Sequence, residues 1–207
     1  MPYSQNHPHL ILTTNGTDGA CAAAMVLQRY PKAQIVTTSA QRIALTLDEI
    51  AELDPPPGVI HICGAGVSEN LGEVITVLGE LGKKRTKVLW YCGRGYLDEF
   101  RTVLARVCVP VFSACSSNTE AVYQHLKIRD NENTGVLLSL ARQFVNRGLK
   151  RSVTDALWHD LVAAGASRYF KYEDKTSYIH VIQKLAGLIP LTEADRREVE
   201  SYRKEGR

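Results

Sequence analysis

The sequence predicts an α/β fold: a doubly wound, mainly parallel sheet of about five strands with a C-terminal helical arm. Three observations support this. Over the first 126 residues, short apolar runs alternate with helical stretches, which is typical of βαβ units. The apolar runs lack polar alternation, as expected of strands covered by helices on both faces. Beyond residue 127, apolar residues recur at helical spacing. We therefore predict an α/β domain at 1–126 and a helical cap or arm at 127–207.

Each predicted strand is followed by a turn of small residues and then a helix. The strands are His9–Thr14, Gln34–Thr38, Val59–Cys63, Lys87–Cys92 and Val109–Ser113. Pro110 has no N–H to donate to a ladder, so the fifth strand is predicted at a sheet edge. Thr46 and Glu49 have the spacing of a capping box, which predicts that a helix begins there.

Three apolar stripes predict helices in the arm, and a charged helix follows them. The stripes run over Val136–Val145, Val153–Val162 and Ile179–Leu188. Thr192 is predicted to open the final helix, which we expect to be exposed.

Composition and charge exclude several classes of protein. The chain has 207 residues, of which 44% are hydrophobic and 23% charged, an ordinary globular mixture. Its formal net charge of +3 is too small to indicate nucleic-acid binding by itself. A polar start and the lack of any apolar run of bilayer length predict a cytoplasmic protein that contacts no membrane. Five cysteines without close CxxC pairs favour reduced thiols.

The carboxyl edge of the predicted sheet is the expected binding site, because ligands of open parallel sheets bind there. Gly93-Arg94-Gly95 could grip an anion with its guanidinium and helix N–H groups, or form only a tight turn. Asp18 could bind a ligand, or cap the helix after the first strand. The residues predicted to bind a ligand are Thr14, Asn15, Asp18, Gly64, Gly93, Arg94, Gly95, Ser116 and Ser117.

Other residues near this edge have competing interpretations. Gly64-Ala-Gly66 resembles a dinucleotide motif only weakly, because Glu69 stands where the third glycine belongs. Cysteines 63, 92 and 115 lie at or just past strand ends, where they could form a reactive thiol or soft-metal site, or simply be buried. His61 lies within a strand and is predicted to be a hydrogen-bonded core histidine.

The segment Asn15–Ala24, directly after the first strand, resembles the first motif of the DHH-type phosphoesterases. This superfamily includes RecJ-like exonucleases, nanoRNases, exopolyphosphatases and inorganic pyrophosphatases. Its first strand ends in a D-x-D-x-D-G pattern or a histidine variant, followed by a small-residue helix. Here Cys63 falls at the second-motif position and Cys92-Gly93-Arg94 at that of the Asp-His-His triplet. Ser116–Tyr123 is similar to the family's Ser/Thr-rich helix start, and the resemblance covers residues 9–126.

The resemblance also implies that the family's metal ligands have been replaced. Active members hold two manganese or magnesium ions with carboxylates and histidines, which activate water and clamp the phosphoryl group. At the three acidic positions of the first motif this chain has Thr14, Gly16 and Asp18. Ile62 or Cys63 replaces the second-motif aspartate. A single remaining aspartate cannot assemble a two-metal site, so we expect no bound metal and no cofactor.

The leading hypothesis is a catalytically degenerate DHH-like domain that binds a nucleotide, a single-stranded nucleic acid or a protein partner in nucleic-acid metabolism. The first alternative is a phosphoesterase with a rebuilt site, using Asp18, Arg94 and Glu69 with manganese or magnesium. The second is a thiol-based sensor. A homodimer is compatible with each of these hypotheses.

Overall fold

The computed structural model describes residues 8–66, 70–92, 101–113, 117–145, 153–172 and 174–205. Five strands form one sheet in the order β2-β1-β3-β4-β5, and every neighbouring pair is parallel. This confirms the predicted α/β class, and it places Pro110 on an edge strand as expected. The strands are β1 (His9–Thr14), β2 (Gln34–Thr38), β3 (Val59–Cys63), β4 (Lys87–Cys92) and β5 (Val109–Phe112).

Helices follow the strands and then fill the C-terminal part of the chain. Among the described residues, none of these helices has both the length and the apolar composition needed to cross a bilayer. The helices are α1 (Thr17–Arg29), α2 (Ile43–Ala51), α3 (Leu71–Lys83), α4 (Arg101–Leu104), α5 (Asn118–Leu126), α6 (Glu132–Val145), α7 (Val153–Tyr172), α8 (Lys175–Leu185) and α9 (Glu193–Glu205).

The sheet separates two hydrophobic cores. One face presents Ile11, Cys63 and Tyr91 to a core shared with α1, α5 and the C-terminal helices. The other face presents Leu12 and Trp90 to a core shared with α2 and α3. Alternate residues of each strand therefore enter different cores, which explains why the strands are apolar throughout.

Helix α1 is buried on all sides, and its composition reflects this. Residues 20–26 are fully buried, and four of them are alanines. One side of α1 faces the sheet, while α6 and α8 pack against it from outside. Small side chains allow these layers to approach closely, and a helix that is apolar all round is a buried helix. Helix α5 ends at Leu126, and the helices beyond it complete the core around α1.

The final helix is mostly exposed, as the sequence predicts, but one of its sides packs against the neighbouring helices. Val199 is buried, and three ion pairs fasten α9 to its neighbours. Lys184 of α8 bonds to Asp195. The other two pairs involve α7: Arg203 Nη2 lies 2.7 Å from Asp160 Oδ2, and Arg168 Nε lies 3.2 Å from Glu198 Oε1. The helical pattern of the sequence identified α9, but not the charged neighbours that hold it.

The predicted capping box at Thr46 is wrong. Helix α2 begins at Ile43, so Thr46 lies inside the helix. Its hydroxyl donates to the carbonyl oxygen of Arg42 at 3.0 Å and lies 2.8 Å from the hydroxyl of Thr38 on β2. Thr46 therefore links α2 to the sheet, a role that its spacing to Glu49 does not indicate.

A buried hydrogen-bond chain crosses the sheet on the α1 side and confirms His61 as a satisfied core histidine. His61 is fully buried, with its Nε2 3.1 Å from His9 Nδ1 and its Nδ1 3.1 Å from the Tyr91 hydroxyl. Burial, with a smaller effect of the neighbouring His9, lowers the pKa of His61 to about 3. The imidazole is therefore neutral near pH 7.

Candidate functional site

The carboxyl edge of the sheet brings together the ends of β1 and β3, where the strand order reverses. In this doubly wound order, ligands bind beyond the strands that flank the reversal. Thr14, Asn15 and Gly64 lie at this point, with Asp18 in the first turn of α1. Several other predicted site residues lie outside the described part of the chain: Glu69, Gly93, Arg94, Gly95 and Ser116, together with Cys115.

Five hydrogen bonds converge on the carboxylate of Asp18, which is only 6% exposed. Its Oδ1 accepts from Ser117 Oγ at 2.7 Å, from Thr119 Oγ1 at 2.7 Å and from the Thr119 backbone N–H at 3.1 Å. Its Oδ2 accepts from the Asn118 backbone N–H at 2.7 Å and from Asn118 Nδ2 at 2.8 Å. All the donors belong to the start of α5, so the carboxylate joins α1 to α5.

The sequence suggested that Asp18 caps α1, the helix in which it lies. The structure shows that it caps α5 instead. The N-cap residue of α1 is Gly16, whose position carries no side-chain cap. Ser117 is the N-cap of α5, and its Oγ accepts from the Glu120 backbone N–H at 3.3 Å. A buried carboxylate at the positive end of a helix is favoured by the exposed N–H groups and by the helix dipole. The binding role of Ser117 stays a prediction.

Gly64 allows β3 to end directly against α1. Its φ is +74°, and a Cβ there would lie 2.5 Å from the α carbon of Gly19. Its carbonyl oxygen accepts a 2.7 Å hydrogen bond from the hydroxyl of Thr14. Only glycine fits both the backbone conformation and this close approach. The ends of β1 and β3 at the reversal point are thus in direct contact. Gly64 is needed for this close packing, and its predicted role in ligand binding stays a prediction.

Tyr178 covers the end of β1, a role that the sequence reasoning missed. This residue of α8 is fully buried, and its hydroxyl donates to the carbonyl oxygens of Thr14 and Gly16 at 3.0 and 3.2 Å. It lies four residues before Ile182 and therefore on the same helix face. The four-residue spacing could have indicated that Tyr178 is buried. It could not have shown which strand end the buried helix face contacts. The C-terminal helices thus contribute directly to the candidate site.

Two buried donors at this edge have no hydrogen-bond partner within the described ranges. They are the side-chain nitrogen of Asn15, after β1, and the hydroxyl of Thr37, near the end of β2. A buried polar group without a partner costs about 1–3 kcal/mol. An acceptor atom of a ligand would satisfy such a donor, which makes Asn15 the described residue most suited to binding at this edge.

The side chains of Thr14, Gly16 and Asp18, the described positions compared above with the metal ligands of DHH-type enzymes, do not fit a two-metal centre. Thr14 and Gly16 carry no carboxylate, and both oxygens of Asp18 already accept hydrogen bonds. Where the chain is described, no group of three or more His, Cys, Asp or Glu side chains is placed to hold an ion. A divalent pair would require hard oxygen ligands that these positions lack.

Cys63 and Cys92 do not form a cluster, which was one of the two interpretations that the sequence left open. The two side chains enter different cores on opposite faces of the sheet. Burial, and to a lesser extent the charge of Asp18, raises the pKa of Cys63. Burial, with a smaller effect of Cys108, raises the pKa of Cys92 to about 12. Reactive thiols require a lowered pKa, so neither residue has the environment of a redox sensor.

Comparison with known proteins identifies the fold. No protein-family model matches this chain, and no curated protein matches it either. The chain is similar to a crystal structure of an uncharacterized protein from Helicobacter pylori G27, with a TM-score of 0.57 over 95% of this chain and 14% sequence identity. The chain spans 61% of that protein's length. At this identity, the similarity shows a shared fold and nothing about activity.

Proposed function

We propose that this chain is a non-hydrolysing, DHH-like binding module. Its ligand carries phosphate, as a nucleotide or a single-stranded nucleic acid, and binds at the carboxyl edge of the sheet. The observation that carries this proposal is the environment of Asp18, the one acidic residue left at the family's first motif. Its carboxylate is buried and holds the start of α5.

A structural role for Asp18 argues against metal-dependent hydrolysis. To bind a metal ion, the carboxylate would have to release hydrogen bonds from the start of α5, leaving the buried Ser117 hydroxyl or the Thr119 backbone N–H unpaired. Each unpaired donor would cost about 1–3 kcal/mol. The remaining first-motif positions, Thr14 and Gly16, supply no replacement carboxylate.

A binding role is supported by the location and chemistry of the same edge. The reversal of strand order is where this fold class accepts ligands. Asn15 offers a buried N–H group that has no partner in the described structure. Arg94 follows β4 by two residues in the sequence, and a guanidinium can bind a phosphate through two parallel hydrogen bonds. These donors suit an anionic ligand and provide no group that would activate water.

Titration of a fluorescently labelled single-stranded oligonucleotide at two salt concentrations tests the binding role. Arg94→Ala should weaken binding by about 1.5–3 kcal/mol, the value of a charge-assisted contact. Arg94→Lys should recover only part of this loss, because the bidentate contact is absent. The matched control is Arg106→Ala. Arg106 is exposed and precedes the amino-terminal end of β5, whereas the proposed site lies at the carboxyl ends of the strands. Equal affinity of wild type and Arg94→Ala at both salt concentrations would contradict the proposal.

A phosphate-release assay separates this function from the phosphoesterase alternative. Wild-type protein with manganese and a generic phosphodiester should release no phosphate above the buffer rate. Manganese-dependent release that is lost in Asp18→Asn, while that variant remains folded, would favour the rebuilt hydrolase over the binding module.

A further inference from the structure

A cavity lies at the opposite end of α1 from the candidate site. It has a volume of about 490 Å³, within the usual size range of small-molecule sites. One wall is the end of α1, with Arg29, and the other is the link between α5 and α6, with Lys127 and Arg129. Arg29 lies 11 residues after Asp18 along α1, so this cavity is roughly 16 Å from Asp18.

Three cations from two distant parts of the chain therefore line one cavity. Lys127 and Arg129 are exposed, as is Arg29. The ion pairs formed within the described ranges involve other side chains. The nearby carboxylate of Asp130 accepts a hydrogen bond from the Tyr123 hydroxyl at 2.8 Å. The three charges repel one another, and a bound anion would relieve that repulsion.

Helix ends alone do not account for this arrangement. Arg29 is in the last turn of α1, where a cation interacts favourably with the helix dipole. Arg129, however, lies outside every helix, two residues after the left-handed residue Lys127 that ends α5. The link between α5 and α6 places Arg129 in the lining of the same cavity as Arg29. The helix dipoles do not explain this third cation, because Arg129 is not part of a helix.

The rest of the lining indicates the kind of anion. Leu126 and Ile128 are half-buried and give the cavity an apolar wall. Gln28 and Asn131 add amide groups. Cations with an adjoining apolar wall suit a molecule that has phosphates at one end and a flat ring at the other.

We propose that this cavity, which we call the α1-end pocket, binds a phosphate-bearing small molecule of nucleotide size through Arg29, Lys127 and Arg129. The proposal is independent of the function assigned to the carboxyl edge, because the two sites share no residue. It gives the chain a second ligand site on the amino side of the sheet.

Isothermal titration calorimetry on the full chain at low salt tests the α1-end pocket, with ADP, pyrophosphate and adenosine as probes. ADP and pyrophosphate should bind and adenosine should not. The triple variant Arg29→Gln, Lys127→Gln, Arg129→Gln should bind ADP at least about tenfold more weakly. Position 127 has a left-handed backbone conformation, and glutamine and lysine are both non-glycine residues without a β-branch, so this substitution adds no new backbone strain. The matched control replaces Arg106, Lys175 and Lys204 by glutamine, which removes the same charge from exposed positions elsewhere.

The variants distinguish this pocket from the carboxyl edge. Arg94→Ala should leave ADP binding to the pocket intact, and thermal unfolding should show that both triple variants remain folded. The proposal is overturned if wild type binds neither ADP nor pyrophosphate, or if the matched control loses as much affinity as the pocket variant. It is also overturned if Arg94→Ala abolishes ADP binding while the pocket variant retains it.

Discussion

Replacing Asp18 by alanine should destabilise the protein far more than the loss of an ordinary helix cap. A surface N-cap is worth about 0.5–2 kcal/mol. Here the substitution also removes the acceptor of the Ser117 hydroxyl and of the Thr119 backbone N–H, in residues that are 1% and 0% exposed. The Thr119 hydroxyl keeps the backbone carbonyl oxygen of residue 18 as an acceptor at 3.1 Å. Each buried donor left without an acceptor costs about 1–3 kcal/mol, and at least two are left here. We therefore expect Asp18→Ala to lower the free energy of unfolding by about 3–5 kcal/mol.

Urea denaturation followed by far-UV circular dichroism measures this loss. Asp48→Ala, an exposed aspartate of α2, is the control and should change stability by less than about 0.5 kcal/mol. A double-mutant cycle between Asp18→Ala and Ser117→Ala should show a coupling of about 1 kcal/mol or more. A loss below about 1 kcal/mol for Asp18→Ala, with no coupling to Ser117, would refute the fastening role.

Three further predictions concern other parts of the core. Gly64→Ala should lower the free energy of unfolding by more than about 3 kcal/mol, because its Cβ would lie 2.5 Å from a backbone atom of α1. Gly79→Ala, in open space on α3, should instead add about 0.5–1 kcal/mol, and equal effects in urea denaturation would reject the close contact. Tyr178→Phe removes a hydroxyl that bonds two backbone carbonyls and should cost about 1–2 kcal/mol, whereas Tyr202→Phe should stay within about 0.5 kcal/mol. If the same titrations show no difference, the hydroxyl does not hold α8 in place. Stability should also fall as the pH drops from about 6.5 toward 4, since the pKa of His61 is about 3 when folded and the unfolded chain binds the proton more readily. His61→Gln should flatten this dependence in denaturation at about pH 7, 6 and 5, and an unchanged slope would exclude His61 as its source.

The strands could be predicted closely because their signal is local. Apolar runs bounded by small residues define β1 to β4 to the residue, and Pro110 assigns β5 to an edge. The burial of His61 followed from its position within a strand. Each of these inferences depends only on residues adjacent in the sequence. Each also depends on a pattern, such as an apolar run or a proline in a strand, that has a single structural interpretation.

The contacts that shape the candidate site could not be predicted in the same way. Asp18 has the sequence context of a cap for α1, yet its donors come from about 100 residues later. Tyr178 lies just before the predicted stripe and four residues before its Ile182, but nothing in its spacing indicates a contact with the carbonyl oxygens at the end of β1. Thr46 has a local capping pattern that a contact with β2 overrides. In each case a tertiary partner decides the role of a polar side chain.

The separation between Asp18 and its donors also has a consequence for synthesis of the chain. Ribosomes add about 5–20 residues per second, so Asp18 precedes Ser117, Asn118 and Thr119 by on the order of 5–20 s. Throughout that interval the nascent chain can form α1 and the first strand pairs, but the carboxylate has no native partner. We expect a nascent chain that stops before α5 to remain only partly folded. The emergence of residues 117–119 is then the step at which the N-terminal half can become stable.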